Sequence, residues 1–133
     1  MHLGADVKVD LRTKELKEAT DRGLCRALSK FGAYTRRRAR GSIRKRKKIS
    51  APGAAPSSHT GALKNGILFA VERERLTCVI GAMATKSTAP ATLEHGGVGL
   101  DGNYYRPRPF MTPAFEREID SSLRKVFTDC VKK

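Results

Sequence analysis

The 133 residues suit one domain, and a hydrophobic content of 39% is enough for a small core and argues against wholesale disorder. Apolar runs of a few residues fall far short of the ~20 a membrane helix needs, and the Met1–Asp6 terminus lacks the apolar stretch of a secretory signal, so we expect a chain made and assembled in the cytoplasm, with no membrane partner. Lys and Arg number 27 against 13 Asp and Glu, a net charge of +14, with a pI near 10.3.

The charge is uneven. Residues 1–66 hold 17 basic and 5 acidic side chains, and residues 67–133 hold 10 and 8. Nine of the thirteen residues from Arg36 to Lys48 are cationic: Arg36, Arg37, Arg38, Arg40, Arg44, Lys45, Arg46, Lys47 and Lys48. Such a run implies contact with a polyanion, most simply nucleic acid; the plainer reading is a solvated face.

In chain order, Ala5, Val7, Val9 and Leu11 alternate with Asp6, Lys8 and Asp10, the period of a half-buried edge strand. Thr13 is the expected cap of a helix whose early turns carry Glu15 and Glu18. Leu16, Ala19, Leu24, Ala27, Leu28, Phe31 and Tyr34 or Thr35 supply its apolar stripe. A helix running unbroken from Thr13 to Arg46 spans ~51 Å, whereas a domain of this length is roughly 36 Å across. Either it breaks near Gly32 or Gly41, or its basic end projects onto something outside. The basic segment 36–48 is not expected in the core.

Residues 49–58, rich in Pro, Gly, Ala and Ser, read as a flexible linker. Thr60 opens a short amphipathic stretch in which Ala62, Leu63, Ile67 and Leu68 share a face. Phe69–Glu72 and Thr77–Ala82 read as strands of a hairpin turned at Arg73-Glu74-Arg75. A helical turn over 91–95 stops at Gly96, and the glycine- and proline-rich stretch to Pro109 reads as loop or irregular strand. Pro113 fits the first position of a last helix capped by Thr112, with Ala114, Phe115, Ile119, Leu123, Val126, Phe127 and Cys130 on its apolar face. The fold class is α+β: a long N-terminal helix, a central antiparallel hairpin or small sheet, and a C-terminal helix, in one domain over residues 1–133.

Cys25, Cys78 and Cys130 are odd in number and far apart, and His2, His59 and His95 have no ligand spacing, so neither a disulfide framework nor a metal site is indicated. No phosphate loop, dinucleotide fingerprint or nucleophile elbow is present. No catalytic residue and no cofactor is expected.

Four segments, in this order, are similar to the motifs of a known family. Pro56–Ile67, with Thr60, Gly61 and Leu63, resembles a P…T-G-x-L-x-x-S-I signature, with Gly66 in the usual small-polar position. Val79-Ile80-Gly81 resembles a V-x-V-G strand end, and Leu93-Glu94-His95-Gly96 an x-E-F-G motif with His95 in place of an aromatic. Arg106–Phe115, with Arg108, Pro109, Phe110 and Pro113, resembles R-P-F-L-x-P-A. Together they resemble the neck or tail-completion proteins of long-tailed double-stranded DNA bacteriophages, over about residues 8–130. The resemblance implies a structural virion protein, assembled in the host cytoplasm. It would form a homo-oligomeric ring of six or twelve copies in the head–tail connector, between portal-side, neck and tail-tube proteins and around the DNA path. It names no catalytic residue.

The basic run would then meet either DNA phosphates, without reading sequence, or an acidic partner ring. The Pro109–Pro113 segment either anchors the last helix or plugs a neighbouring subunit. A tail terminator capping the tube stays open, as does a basic nucleic-acid-binding protein outside any virion, although only eight aromatics are available for base stacking. A nuclease would need clustered carboxylates, and the acids here fall at surface-like helix positions.

Overall fold

The computed structural model describes residues 12–83 and 89–131; the strand expected over Ala5–Leu11 lies outside them. Helix α1 runs from Thr13 to Ser42 without a break. Its buried positions, Ala27, Phe31, Gly32, Thr35 and Ala39, recur at helical spacing and make one stripe. Thr13 is its first helical residue and not its cap: Arg12 holds the cap position with no side-chain cap bond. The opening turns need none, because residues 12–20 are exposed and water satisfies their free N–H groups.

At 1.5 Å per residue, α1 is about 45 Å long and does outgrow the domain. The overhanging end is the N-terminal one, where Leu16 is 67% exposed, whereas Ala39 and Ile43 at the basic end are buried. Gly32 does not break the helix. It lets the hairpin come close, since a Cβ there would lie 2.6 Å from Phe69 Cδ2 and 2.8 Å from Cys78 Sγ.

After Ile43 the described residues form three two-stranded sheets. Strands β1 (Arg44–Lys45) and β2 (Ser57–Ser58) pair in parallel. The stretch read as a linker is thus fastened at several points: Arg108 Nε donates to the Ser50 carbonyl at 3.0 Å, Gly53 N donates to the Pro107 carbonyl at 2.9 Å, and Pro56 is fully buried. One helical turn, α2 (Ala62–Asn65), leads to the main hairpin, β3 (Ile67–Glu72) and β4 (Thr77–Ala82), with Phe69 opposite Ile80 and Val71 opposite Cys78. Ile67 is buried and Leu68 exposed, so they do not share a face: the chain is already extended here, and alternation replaces the helical period. Arg73–Leu76 make the turn, with Leu76 at φ +49°.

Helix α3 (Ala89–His95) ends against Gly96 at φ +76°. A small hairpin follows, β5 (Gly97–Val98) with β6 (Tyr104–Tyr105). The C-terminal helix comprises α4 (Met111–Glu118), a π turn over Ile119–Leu123, and α5 (Arg124–Val131). In an ordinary α-helix, steps of four residues overshoot a full turn by about 40°; the wider π turn absorbs part of that drift. Positions 114, 118, 122, 126 and 130 accordingly stay turned inward as a row, each buried or half-buried. Phe115 and Ile119, expected inside, are 43% and 39% exposed.

Both the hairpin and the C-terminal helix pack on α1, on opposing flanks. Gly32 and Arg36 face the hairpin, while Phe31 meets Phe115 edge-to-face at 5.6 Å and Arg38 meets Glu118. No helix among the described residues is long and apolar enough to cross a membrane.

Candidate functional site

The four motif segments converge. Ala39, Ile43, Ile67, Phe110 and Ala114 form a buried cluster, with Leu63, Ala82, Leu93 and Met111 packed around it. Each segment of the resemblance, or the residue beside it, therefore places a side chain in one core. Phe110 sits at its centre, 2% exposed, and a buried Phe contributes roughly 1.5–3 kcal/mol. Of the two roles left open for Pro109–Pro113, this geometry is the anchoring one.

Glu94 explains how that anchor is held. Its Oε2 accepts from Phe110 N at 2.9 Å and Met111 N at 3.0 Å, and its Oε1 accepts from Thr112 N at 2.8 Å. A helix start leaves four main-chain N–H positions without partners. Here three go to one carboxylate and the fourth residue, Pro113, has no N–H. Thr112 is thus not the cap, and Pro113 lies third in the helix; a carboxylate from α3 does the capping across space. Partial burial acts to raise the Glu94 carboxyl, but the three main-chain donors outweigh it and hold the group below its ordinary value.

The other motif residues serve the same junction. Gly61, at φ +84°, starts α2; its N–H donates to Ser58 Oγ at 3.0 Å, and Thr60 Oγ1 accepts from Ala62 N at 3.3 Å. Gly96 leaves room for the returning chain, since a Cβ there would sit 3.0 Å from Pro107 Cδ and 3.1 Å from the Tyr105 carbonyl. Arg108 N donates to the Leu93 carbonyl at 2.6 Å, while its guanidinium holds Ser50. Pro109 is half-buried beside it.

The nine cations of 36–48 separate into two kinds. Arg36 Nε donates to the Ile67 carbonyl at 2.8 Å, Arg40 Nη2 to Asn65 Oδ1 at 3.2 Å, and Arg46 Nε to Ser57 Oγ at 2.9 Å. Arg38 pairs with Glu118 at 2.5 Å, and Ser122 Oγ donates to the other carboxylate oxygen at 2.6 Å. Glu118 is 5% exposed, a buried carboxylate that sequence reading missed because its partner lies 80 residues away. Arg37, Arg44, Lys45, Lys47 and Lys48 are exposed. Arg37 shares the outer face of α1 with Arg22, Arg26 and Lys30, so the cationic surface begins well before residue 36. From Arg22 to Val71 the chain carries thirteen basic and no acidic side chains, a gap that counting acids alone would have found.

A cleft of about 770 Å³ opens between α1 and β3, floored by Cys25, Phe69, Ala70 and Val71 and edged by Arg22, Arg26, Lys30 and Arg73. Among the described residues, no three His, Cys, Asp or Glu side chains are grouped to hold a metal ion. Compared with protein-family models, with curated proteins and with solved structures, the chain matches none.

Proposed function

We propose that the chain is a structural subunit of the head–tail connector of a long-tailed bacteriophage, a ring component between portal-side and tail-tube proteins around the DNA path. The observation that carries this reading is the convergence of the four resembling segments on one core, with Glu94 capping the helix that Phe110 anchors. The motif residues build a junction, with Phe110 buried in the core and the Glu94 carboxylate taken up by capping, as suits a structural virion protein. The exposed cations of α1 and of residues 44–48 suit contact with passing duplex phosphates, which is independent of sequence and weakened by salt.

The test is deletion of the gene in a phage that carries it. DNA-filled heads and separate, complete tails are expected, with the chain found by mass spectrometry in wild-type particles. Normal joining without it, or its absence from particles, overturns the proposal. The acid-free stretch from Arg22 to Val71 favours one second reading, a nucleic-acid-binding protein acting outside a virion. That reading predicts tight binding to DNA by the isolated monomer and no place in particles.

A further inference from the structure

The cleft between α1 and β3 combines an apolar floor with a cationic rim, a combination suited to a partner that is both apolar and acidic. The chain itself carries such a surface. On one flank of α4 and the π turn, Phe115, whose ring packs on Phe31, and Ile119 are 43% and 39% exposed; the exposed Glu116 lies beside Ile119 at three-residue spacing, and the exposed Asp120 beside Glu116 at four. The exposed Arg117 lies away from Phe115 but three positions before Asp120, so it borders this flank on its acidic side. The cleft lies on the hairpin side of α1 and this flank on the opposite side, so one molecule cannot join them within itself.

We infer that the cleft of one copy receives the Phe115–Asp120 flank of a second copy, in a head-to-tail contact. Phe115 and Ile119 cover Phe69, Ala70 and Val71, while Glu116 and Asp120 meet Arg26, Lys30 and Arg73. Among the described residues, Asp21 is the one acid lining the cleft; it is half-buried, on the helix face of Cys25. Because the two surfaces differ, each copy keeps one of each free for the next, and the contact propagates into a ring if the rotation closes. The inference rests on the reading of the chain as a ring subunit, and it names the self-contact which that reading requires.

The test uses two charge-reversed variants of the full chain, Arg26→Glu with Lys30→Glu, and Glu116→Lys with Asp120→Lys, followed by sedimentation velocity over a wide concentration range at low salt. The wild type is expected to associate with rising concentration and to dissociate with added salt. Each variant alone is expected to associate at least roughly tenfold more weakly. An equimolar mixture regains wild-type association, because every cleft again faces a flank of opposite charge; this also shows that both variants are folded. A wild type that stays monomeric throughout, variants that associate unchanged, or a mixture that fails to recover overturns the contact. Loss of DNA binding in the cleft variant with association unchanged overturns it in favour of a nucleic-acid surface. Presence in phage particles is scored separately: a chain found there with reversals that do nothing loses this contact and keeps the connector reading, and the converse result does the opposite.

Discussion

Glu94 shows how much one carboxylate can hold. Removing it by Glu94→Ala strands three main-chain donors at the start of α4, and loss of a cap costs about 1–2 kcal/mol. A drop of several degrees in the thermal midpoint is expected by calorimetry. Its pH dependence has a definite sign. The folded group titrates below its ordinary value near 4.5, so its stabilisation is complete above that pH and is lost as pH falls through the lower folded value. The stability gap between wild type and Glu94→Gln should stay constant from neutral pH down to about 4.5 and narrow below it; a gap independent of pH would exclude charge as the cause. The cations divide in the same spirit. Arg36→Ala, which frees the carbonyl of the fully buried Ile67, should cost roughly 1 kcal/mol and leave DNA affinity little changed. Lys47→Ala with Lys48→Ala should leave stability within ~0.5 kcal/mol. Denaturant melts and salt-dependent binding, run on both variants, separate the two kinds.

Among the elements, two glycines of α1 give opposite expectations. Gly41 has nothing within 4 Å of an added Cβ, so Gly41→Ala should stabilise by roughly 0.5–1 kcal/mol through helix propensity alone. Gly32→Ala meets Phe69 and Cys78 and should lose about 1–3 kcal/mol from forced repacking despite the same propensity gain. Urea denaturation of the pair reads the difference. Sequence patterning made α1, the β3–β4 hairpin and the C-terminal helix legible, because each repeats its apolar residues at its own period. It left the capping of α4 unreadable, since capping rules act within a few residues and Glu94 reaches sixteen to eighteen positions ahead. It also put Glu118 outside and Ile119 inside. The π turn decides which residues beyond Glu118 stay turned toward α1, and no pattern of residue types marks it.

For the molecule as a whole, the acid-free stretch from Arg22 to Val71 implies a steep response to salt. If five exposed cations meet phosphates, the logarithm of the affinity should fall by about 4.5 per decade of salt. Neutralising Arg44, Lys45, Lys47 and Lys48, which are exposed, should reduce that slope, whereas Arg38→Ala should not. The motif residues were legible as a set, through their order in the chain. Their common destination was not, because Leu63, Ala82, Leu93 and Phe110 meet only once the chain has folded.

The close approach at Gly32 also supplies a clock. Cys78 lies in that seam, and burial pushes its thiol above its ordinary pKa, so alkylation in the closed state is slow. Only the Ile67–Ala82 end of the hairpin reaches the core that Phe110 organises; the distal part, with Cys78 opposite Val71, is fastened to α1 and is expected to part from it before global unfolding. Every parting bares the Cys78 sulfur. Its alkylation rate in dilute denaturant, followed on the Cys78 peptide separately from Cys25 and Cys130, therefore measures the free energy of that parting. The value should come out smaller than the global unfolding free energy, and Gly32→Ala should reduce it further while leaving α4 closed.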